Sequence, residues 1–448
     1  MMYTALILAA GEGKRMKSRL PKVLHEIAFK PLICWVLEAV SGADGRIVVV
    51  GHGADEVKSV LGESVSYAVQ EQRLGTGHAV AQAKDLFRDA RRVLILSGDT
   101  PLITRQTLDA AYACHTSGGN AVTVLTAHVP NPNGYGRILR GSDGNLAGIV
   151  EHADASEAQR AITEVNSGIY FFDTDALLFA LDRISNGNAQ GEYYLTDAIG
   201  ILLGEHKKAG AFTLGDHNEI IGINDRVQLA AASERMRERI IRRHMENGVT
   251  FLSPQTAYIG GGAVIGRDTI IMPNTVIEGD TTVAEGCVIG PNSRITASEI
   301  GAGSEINNSV VVASKIGGGV HVGPFAYIRP HCEIGDNIKI GDFVEIKNAV
   351  IGDGTKVSHL TYIGDADVGA GVNFGCGTVI VNYDGSKKHR ATVGDGAFIG
   401  CNTNLVSPVR VGDGAFIAAG STITEDIPNH AFAIARSRQT VKTEWKRK

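Results

Sequence analysis

The stretch IGGGVHVGPFAYIRPHCEIGDNIKIGDFVEI, residues 316–346, carries an aliphatic side chain at every sixth position: Ile316, Val322, Ile328, Ile334, Ile340 and Ile346. The period extends both ways in phase-shifted runs. Upstream lie Ile259, Ile265, Ile271, Ile277, Val283, Ile289 and Ile295, then Ile300, Ile306 and Val312. Downstream lie Ile351, Val357 and Ile363, then Val368, Phe374 and Ile380, and finally Val393, Ile399, Leu405, Val411, Ile417 and Ile423. Helix faces repeat near 3.6 residues and strand faces near 2, so neither produces this period. A solenoid does. Each hexapeptide forms one flat side of a coil and turns one branched side chain inward, where stacked coils bury it. Glycine often follows, as in Ile265-Gly266, Ile289-Gly290, Ile334-Gly335, Ile340-Gly341 and Val411-Gly412; it tolerates the positive φ expected of a tight corner.

Ahead of the solenoid, residues 1–223 alternate short Val- and Ile-rich runs with helical stretches. Strands are expected at 3–9, 46–50, 65–69, 93–96 and 121–126, with helices over 31–40, 75–87 and 104–115. That alternation predicts an α/β domain, a mostly parallel sheet covered on both faces. Residues 224–248 read as a charged amphipathic connecting helix, with Leu229, Met236, Ile240 and Met245 on one face and Gly248 as its terminator. Residues 249–448 form the solenoid domain.

Composition narrows the function classes. Over 448 residues the net charge is −5, which argues against a general nucleic-acid binder. Lys442, Lys446, Arg447 and Lys448 read as a solvated tail. The six cysteines are scattered with no Cys-x-x-Cys pair, which predicts reduced thiols in a cytoplasmic protein and no zinc site. The apolar start, Ala5 to Ala10, is too short to insert in a membrane and runs directly into a glycine loop.

That loop, Leu8-Ala9-Ala10-Gly11-Glu12-Gly13-Lys14-Arg15-Met16, is followed by Pro21-Lys22. Small residues after a strand let backbone N–H groups approach an anion, and nearby cations offset its charge. It is neither a Walker A loop, lacking the earlier glycine and the following Ser or Thr, nor a dinucleotide fingerprint, since Met16 stands at the third glycine position. LAAGEGKRM with LPK resembles the opening of the sugar nucleotidyltransferases. QEQRLGTGHA (70–79), SGDTPL (97–102), GYGRI (134–138), VEH (150–152), EVNSGIY (164–170) and GIND (222–225) continue the likeness. With the hexapeptide repeat downstream, the order is similar to the bacterial bifunctional N-acetylglucosamine-1-phosphate uridyltransferase / glucosamine-1-phosphate N-acetyltransferase family, over nearly the whole chain.

The resemblance implies a Rossmann-like nucleotidyltransferase domain, a left-handed parallel β-helix and a homotrimer. It also implies two reactions: acetyl transfer from acetyl-CoA to glucosamine-1-phosphate, then uridylyl transfer from UTP to N-acetylglucosamine-1-phosphate. Leu8, Ala9, Ala10, Gly11, Gln70, Gly75 and Thr76 would hold the nucleotide, Arg15 and Lys22 would face its phosphates, and Gly136, Glu151 and Asn166 would hold the acetylamino sugar. Asp99 and Asn224 would hold Mg²⁺, which takes few protein oxygens and completes its shell with water and phosphate.

In the solenoid, the step from Ile380 to Val393 takes thirteen residues, one more than two sides need, and encloses the polar stretch 382–390. An excursion there is a natural place for function. The resemblance assigns Arg329 and Lys347 to the sugar phosphate, Tyr362 and Asn373 to the sugar, and His359 to the general base. Cys376, Asn382, Tyr383, Cys401, Ala419 and Arg436 would contact acetyl-CoA. The family often has Ala where Cys376 stands and Ser where Cys401 stands. A neutral histidine can take the amine proton during attack on the thioester, and backbone N–H groups in the 375–377 turn could hold the oxyanion. Two alternatives remain at this level: a single-activity sugar-1-phosphate nucleotidyltransferase with a regulatory or assembly β-helix, and a sugar-nucleotide sensor that has lost catalysis.

Overall fold

The computed structural model describes residues 3–446, so Arg447 and Lys448 of the expected tail lie outside the described residues. The chain divides into two compact units, Met1–Met236 and Arg237–Lys448.

The first unit is built on a sheet of nine described strands: β1 (Thr4–Ala9), β2 (Gly45–Val50), β3 (Ser66–Val69), β4 (Arg92–Ser97), β5 (Val122–His128), β6 (Arg137–Arg140), β7 (Leu146–Val150), β8 (Glu164–Asp173) and β9 (Ala209–Thr213). The main order is β9-β5-β8-β4-β1-β2-β3, with β6 paired to β8 and to β7. β8 runs antiparallel to β4, β5 and β6, and β6 antiparallel to β7; the other pairings are parallel. Alternation along each strand sends side chains to opposite faces. Ile7, Val48, Val50, Leu94 and Leu96 pack with Ile33, Val36, Val57 and Leu108 on one side. Leu6, Ile47, Val49, Val93 and Ile95 pack with Val80, Phe87, Leu177 and Leu202 on the other. The expected helix over 75–87 is two pieces, Thr76–Ala81 and Lys84–Phe87.

The helix Arg226–Glu246 crosses the division between the units. Met236, Ile240, Ile241 and His244 are buried, whereas Met245 is exposed. The expected face is corrected there: the spacing 236-240-244 keeps one side of a helix, and 245 rotates off it.

In the second unit every strand pairing is parallel, and strands from successive coils stack in three ladders. Inward residues align face by face: Ile271, Ile289, Ile306, Val322, Ile340 and Val357 on one, Ile277, Ile295, Val311, Ile328 and Ile346 on the second, Val283, Ile300, Ile316 and Ile334 on the third. Two expectations change. Val311, fully buried and paired with Ile295, is the inward residue; Val312 is half-buried. The corner between them and Ile316 is short, turning through Ala313 at φ 43°. Second, Gly290 takes the expected positive φ, 103°, but Gly266, Gly335, Gly341 and Gly412 are absent from the positive-φ positions. The need of these four is space. A Cβ on Gly341 would lie 1.9 Å from the Ser358 carbonyl oxygen of the next coil, and one on Gly335 would lie 2.3 Å from Asp353 Oδ1.

The step from Ile380 to Val393 is one side of a coil rather than two, because Val368 pairs with Val393 and Ile380 with Leu405. The excursion is therefore longer than the spacing suggested. It forms a tight hairpin: Tyr383 bridges Lys388, and the His389 N–H donates to the Asn382 carbonyl at 2.8 Å.

Candidate functional site

Two groups of candidate residues form, one in each unit. In the first, β1 delivers the glycine loop to the carboxyl ends of the parallel strands, where open α/β sheets bind ligands. Gly13 is left-handed at φ 65°, and a Cβ there would sit 2.7 Å from Lys22 Cβ. Glycine thus lets the Lys22 stem pass beneath the loop. A cavity of about 430 Å³ is lined by Leu8, Ala9, Ala10, Gly11, Lys22, Gln70, Gly75, Thr76 and Asp99, with Arg73, Ser97 and Glu192 also on its wall. Gln70 is buried and donates to the Gly75 carbonyl at 3.1 Å, which orients its amide. Thr76 accepts from the Leu195 N–H at 3.1 Å.

Asp99 follows the end of β4 after Gly98. Its main-chain carbonyl accepts from the Ile223 N–H at 3.0 Å, which brings the segment carrying Asn224 alongside. The Lys22 ammonium contacts Asp99 Oδ2 and donates to Asn224 Oδ1 at 3.2 Å. Two side-chain oxygens from distant segments therefore share one cation.

Gly136, Glu151 and Asn166 gather beside one another, outside the residues that line the cavity. A Cβ on Gly136 would approach Glu151 Oε2 at 3.4 Å and Asn166 Cβ at 3.5 Å. Asn166 stands at the bulge in β8, donates to the Tyr170 hydroxyl at 2.6 Å and accepts from the Gly168 N–H at 3.1 Å. Gly168 itself lines the cavity. Burial raises the Glu151 carboxyl above the usual range, and the Thr196 hydroxyl donates to it at 3.0 Å. Thr196 carried no motif in the sequence, since only the fold brings it to Glu151. Arg15 is exposed in the turn Lys14–Met16 and does not line the cavity.

In the solenoid the candidates fall at two corners. At one, Asp342 pairs with His359, and His359 Nδ1 contacts Asp342 Oδ1. The bond to His359 holds the Asp342 carboxyl below the usual range. The same corner continues through later coils. Phe374 pairs with Ile399 and Ile399 with Ile417, which brings Cys376, Cys401 and Ala419 into line. The Asn402 N–H reaches the Cys376 carbonyl, and the Gly420 N–H the Cys401 carbonyl, both at 2.7 Å. Arg436 lies over Gly420, its Cδ 3.6 Å from where a Cβ would be. Within the 375–377 turn the Gly375 N–H is spent on the Ile399 carbonyl. That leaves the N–H groups of Cys376 and Gly377 for an oxyanion.

The other corner centres on Asp365, buried and left-handed at φ 51°. Asn348 donates to its Oδ1 at 2.6 Å, while Lys347, at 3.1 Å, and the Asn382 amide share its Oδ2. Despite burial, these donors hold its carboxyl below the usual range. Asn382 also donates to the Tyr362 hydroxyl at 3.3 Å, and Arg329 pairs with Glu345 at 2.8 Å. Lys347, Tyr362 and Asn382 thus meet through a carboxylate that sequence reading missed. The acetyl-CoA candidates separate: Asn382 and Tyr383 stand at this corner, whereas Cys376, Cys401, Ala419 and Arg436 stand at the first. Asn373 lies on the ladder face beyond, paired with Lys356 and Phe398.

Among the described residues no helix is long and apolar enough to cross a membrane, and none of the cysteines is in a disulfide. The nucleotidyl transferase family profile matches residues 4–220, and the bacterial transferase hexapeptide profile (six repeats) matches 262–297, 313–348 and 390–425. Proteins named bifunctional protein GlmU are similar throughout. The one from Acetivibrio thermocellus is 55% identical, covering 98% of this chain and 96% of its own. That from Thermoanaerobacter pseudethanolicus is 56% identical over 98% and 96%. That from Clostridium beijerinckii is 52% identical over 99% and 98%. With both profiles in order and identity sustained across nearly the full length, the chain belongs to the GlmU family of bifunctional proteins.

Proposed function

We propose that the protein makes UDP-N-acetylglucosamine in two steps at two sites. The solenoid transfers an acetyl group from acetyl-CoA to glucosamine-1-phosphate, and the N-terminal unit transfers the uridylyl group of UTP to the product, releasing pyrophosphate. One observation favours two activities over a nucleotidyltransferase with an inert scaffold. The solenoid core is aliphatic and needs no ionisable groups, yet His359, Lys347, Asp365 and Asn382 are organised at its corners by specific hydrogen bonds.

In the uridylyl step, the phosphate of the sugar is already an anionic nucleophile and no general base is needed. The cavity wall of Leu8–Gly11, Gln70, Gly75 and Thr76 would seat the nucleotide, with Lys22 offsetting charge on its phosphates. Gly136, Glu151 and Asn166 would orient the acetylamino sugar, and Arg15 would approach the phosphates from the loop. Asp99 and Asn224 fit Mg²⁺, since their hard oxygens already converge on the Lys22 cation. Bound there, the ion would supply electrostatic stabilisation to the phosphates.

In the acetyl step, Arg329 and Lys347 would hold the sugar phosphate, with Tyr362 and Asn373 around the ring. His359 Nε2 would accept the proton as the amine attacks the thioester carbon. The Cys376 and Gly377 N–H groups would receive the oxyanion, and the sulfur of CoA would leave as the carbonyl reforms. Asn382, Tyr383, Cys401, Ala419 and Arg436 would contact acetyl-CoA. Their division between two corners fits a site completed by a neighbouring copy in a homotrimer of left-handed helices. A cytoplasmic location accords with the free thiols.

The test is to incubate the pure protein with glucosamine-1-phosphate, acetyl-CoA, UTP and Mg²⁺ and to identify products by mass. The proposal expects UDP-N-acetylglucosamine, CoA and pyrophosphate. Conversion of N-acetylglucosamine-1-phosphate alone, with no acetylation of glucosamine-1-phosphate, would favour the single-activity reading.

A further inference from the structure

His359 stands at an exposed solenoid corner, where an imidazole has few neighbours to hold it. Its side chain retains 56% of its accessible surface. A general base in that position needs a fixed ring plane and a fixed tautomer, because only an unprotonated nitrogen can accept a proton. Asp342 meets both needs. It occupies the same corner one coil earlier, as the register partner of His359, and its Oδ1 contacts His359 Nδ1. The backbones are tied at that point too, since the Leu360 N–H donates to the Asp342 carbonyl at 3.0 Å. A second bond turns the corner: the Thr361 hydroxyl donates to the His359 carbonyl at 2.7 Å.

We propose that Asp342 is a positioning residue for acetyl transfer: its carboxylate accepts the Nδ1–H of His359, keeping the proton on Nδ1 and the Nε2 lone pair directed outward. The inference rests on His359 serving as the base. During the reaction Nε2 takes the proton released by the attacking amine, Nδ1 keeps its own, and Asp342 stays ionised beside the imidazolium. No proton passes to Asp342. The depressed carboxyl range noted above is consistent with that lasting negative charge.

Other groups near this corner do not duplicate the role. The preceding coil carries Lys339 on the strand Lys339–Asp342, and the strand of His359 carries Lys356. The coil after it, through Asn373–Phe374, brings the Cys376 thiol to the corner. Asp342 is therefore the carboxylate in contact with His359, and it is half-exposed, so replacing it removes no core packing.

The experiment uses the full chain and compares wild type, Asp342→Ala, Asp342→Glu, His359→Ala and the double variant Asp342→Ala/His359→Ala. Asp342→Ala is expected to lower kcat for acetyl transfer about 10-fold, the scale of an outer partner that orients a functional histidine. KM for both substrates should stay within about 2-fold. Asp342→Glu should recover part of the loss, and uridylyl transfer should be unchanged in all variants. Adding Asp342→Ala to His359→Ala should cost nothing further. An unchanged kcat, or a loss confined to KM, would overturn the proposal. Near-normal acetyl transfer by His359→Ala would instead overturn the assignment of the base, a distinguishable failure.

Discussion

The two units solve site construction in different ways. In the N-terminal unit the candidate residues sit over a sheet packed on both faces, and most of them line one cavity. Segments far apart in the chain deliver them: Lys22, Asp99 and Asn224 meet at a single point. In the solenoid, residues separated by one coil become neighbours, and the candidates follow corners exposed to solvent. A wound sheet concentrates a site at the ends of its strands. A repeat distributes one along its length, so function there appears as a departure from the repeat, such as His359, Asp365 and the 382–390 hairpin. The first design encloses a cavity between segments of one unit, whereas the second leaves its candidates along solvent-facing corners.

The sharpest way to break this comparison is to disturb the repeat itself. Val311→Asp should destabilise the solenoid by about 4 kcal/mol, because an unpaired charge would enter a fully buried position. Val312→Asp, at a half-buried neighbour, should cost less than about 1 kcal/mol. Urea midpoints of the two variants measure the difference, and equal losses would mean that the inward register is wrong.

A substitution in the glycine loop probes the enclosed site. Gly13→Val combines a left-handed backbone with a clash against Lys22 Cβ. Uridylyl transfer should fall about 100-fold, on the scale of losing one preorganised charged contact, while acetyl transfer stays within about 2-fold of wild type. Steady-state kinetics of both reactions check this.

A smaller effect should appear with pH. His244 is buried, its Nε2 has no hydrogen-bond partner, and burial pushes its pKa down to about 4. The unfolded chain therefore binds a proton that the folded one refuses. The resulting stability is complete above about pH 6.5 and is lost as pH falls toward about 4, a difference of about 3 kcal/mol. His244→Leu should flatten the pH dependence of the urea midpoint across that window. An unchanged slope would assign acid sensitivity to other groups.

Much of this architecture was legible in the sequence because burial imposes period. The inward ladder from Ile271 to Ile423 follows directly, as do the strands that flank the glycine loop. Two of the misreadings share one cause. Val312 in place of Val311, and thirteen residues read as two sides, both arose where corners shorten or bulge, since spacing counts residues and not the turn geometry between them. Met245 in place of His244 came from favouring hydrophobicity over helical position. The glycines after the inward residues were expected from φ, which holds at Gly290, whereas at Gly266, Gly335, Gly341 and Gly412 close stacking of coils demands them. Thr196, Asp342 and Asp365 carried no signal for a related reason. Each acts on a partner that is placed by sheet pairing or by coil register, and register accumulates every short corner before it.

The central claim is that one chain carries two independent sites. It is tested most directly by measuring both reactions, at saturating Mg²⁺ and substrates, in Asp99→Ala and His359→Ala. Asp99→Ala should lose uridylyl transfer by at least about 100-fold and retain acetyl transfer, and His359→Ala should show the reverse. If either folded variant lost both activities to the same extent, the claim would be contradicted.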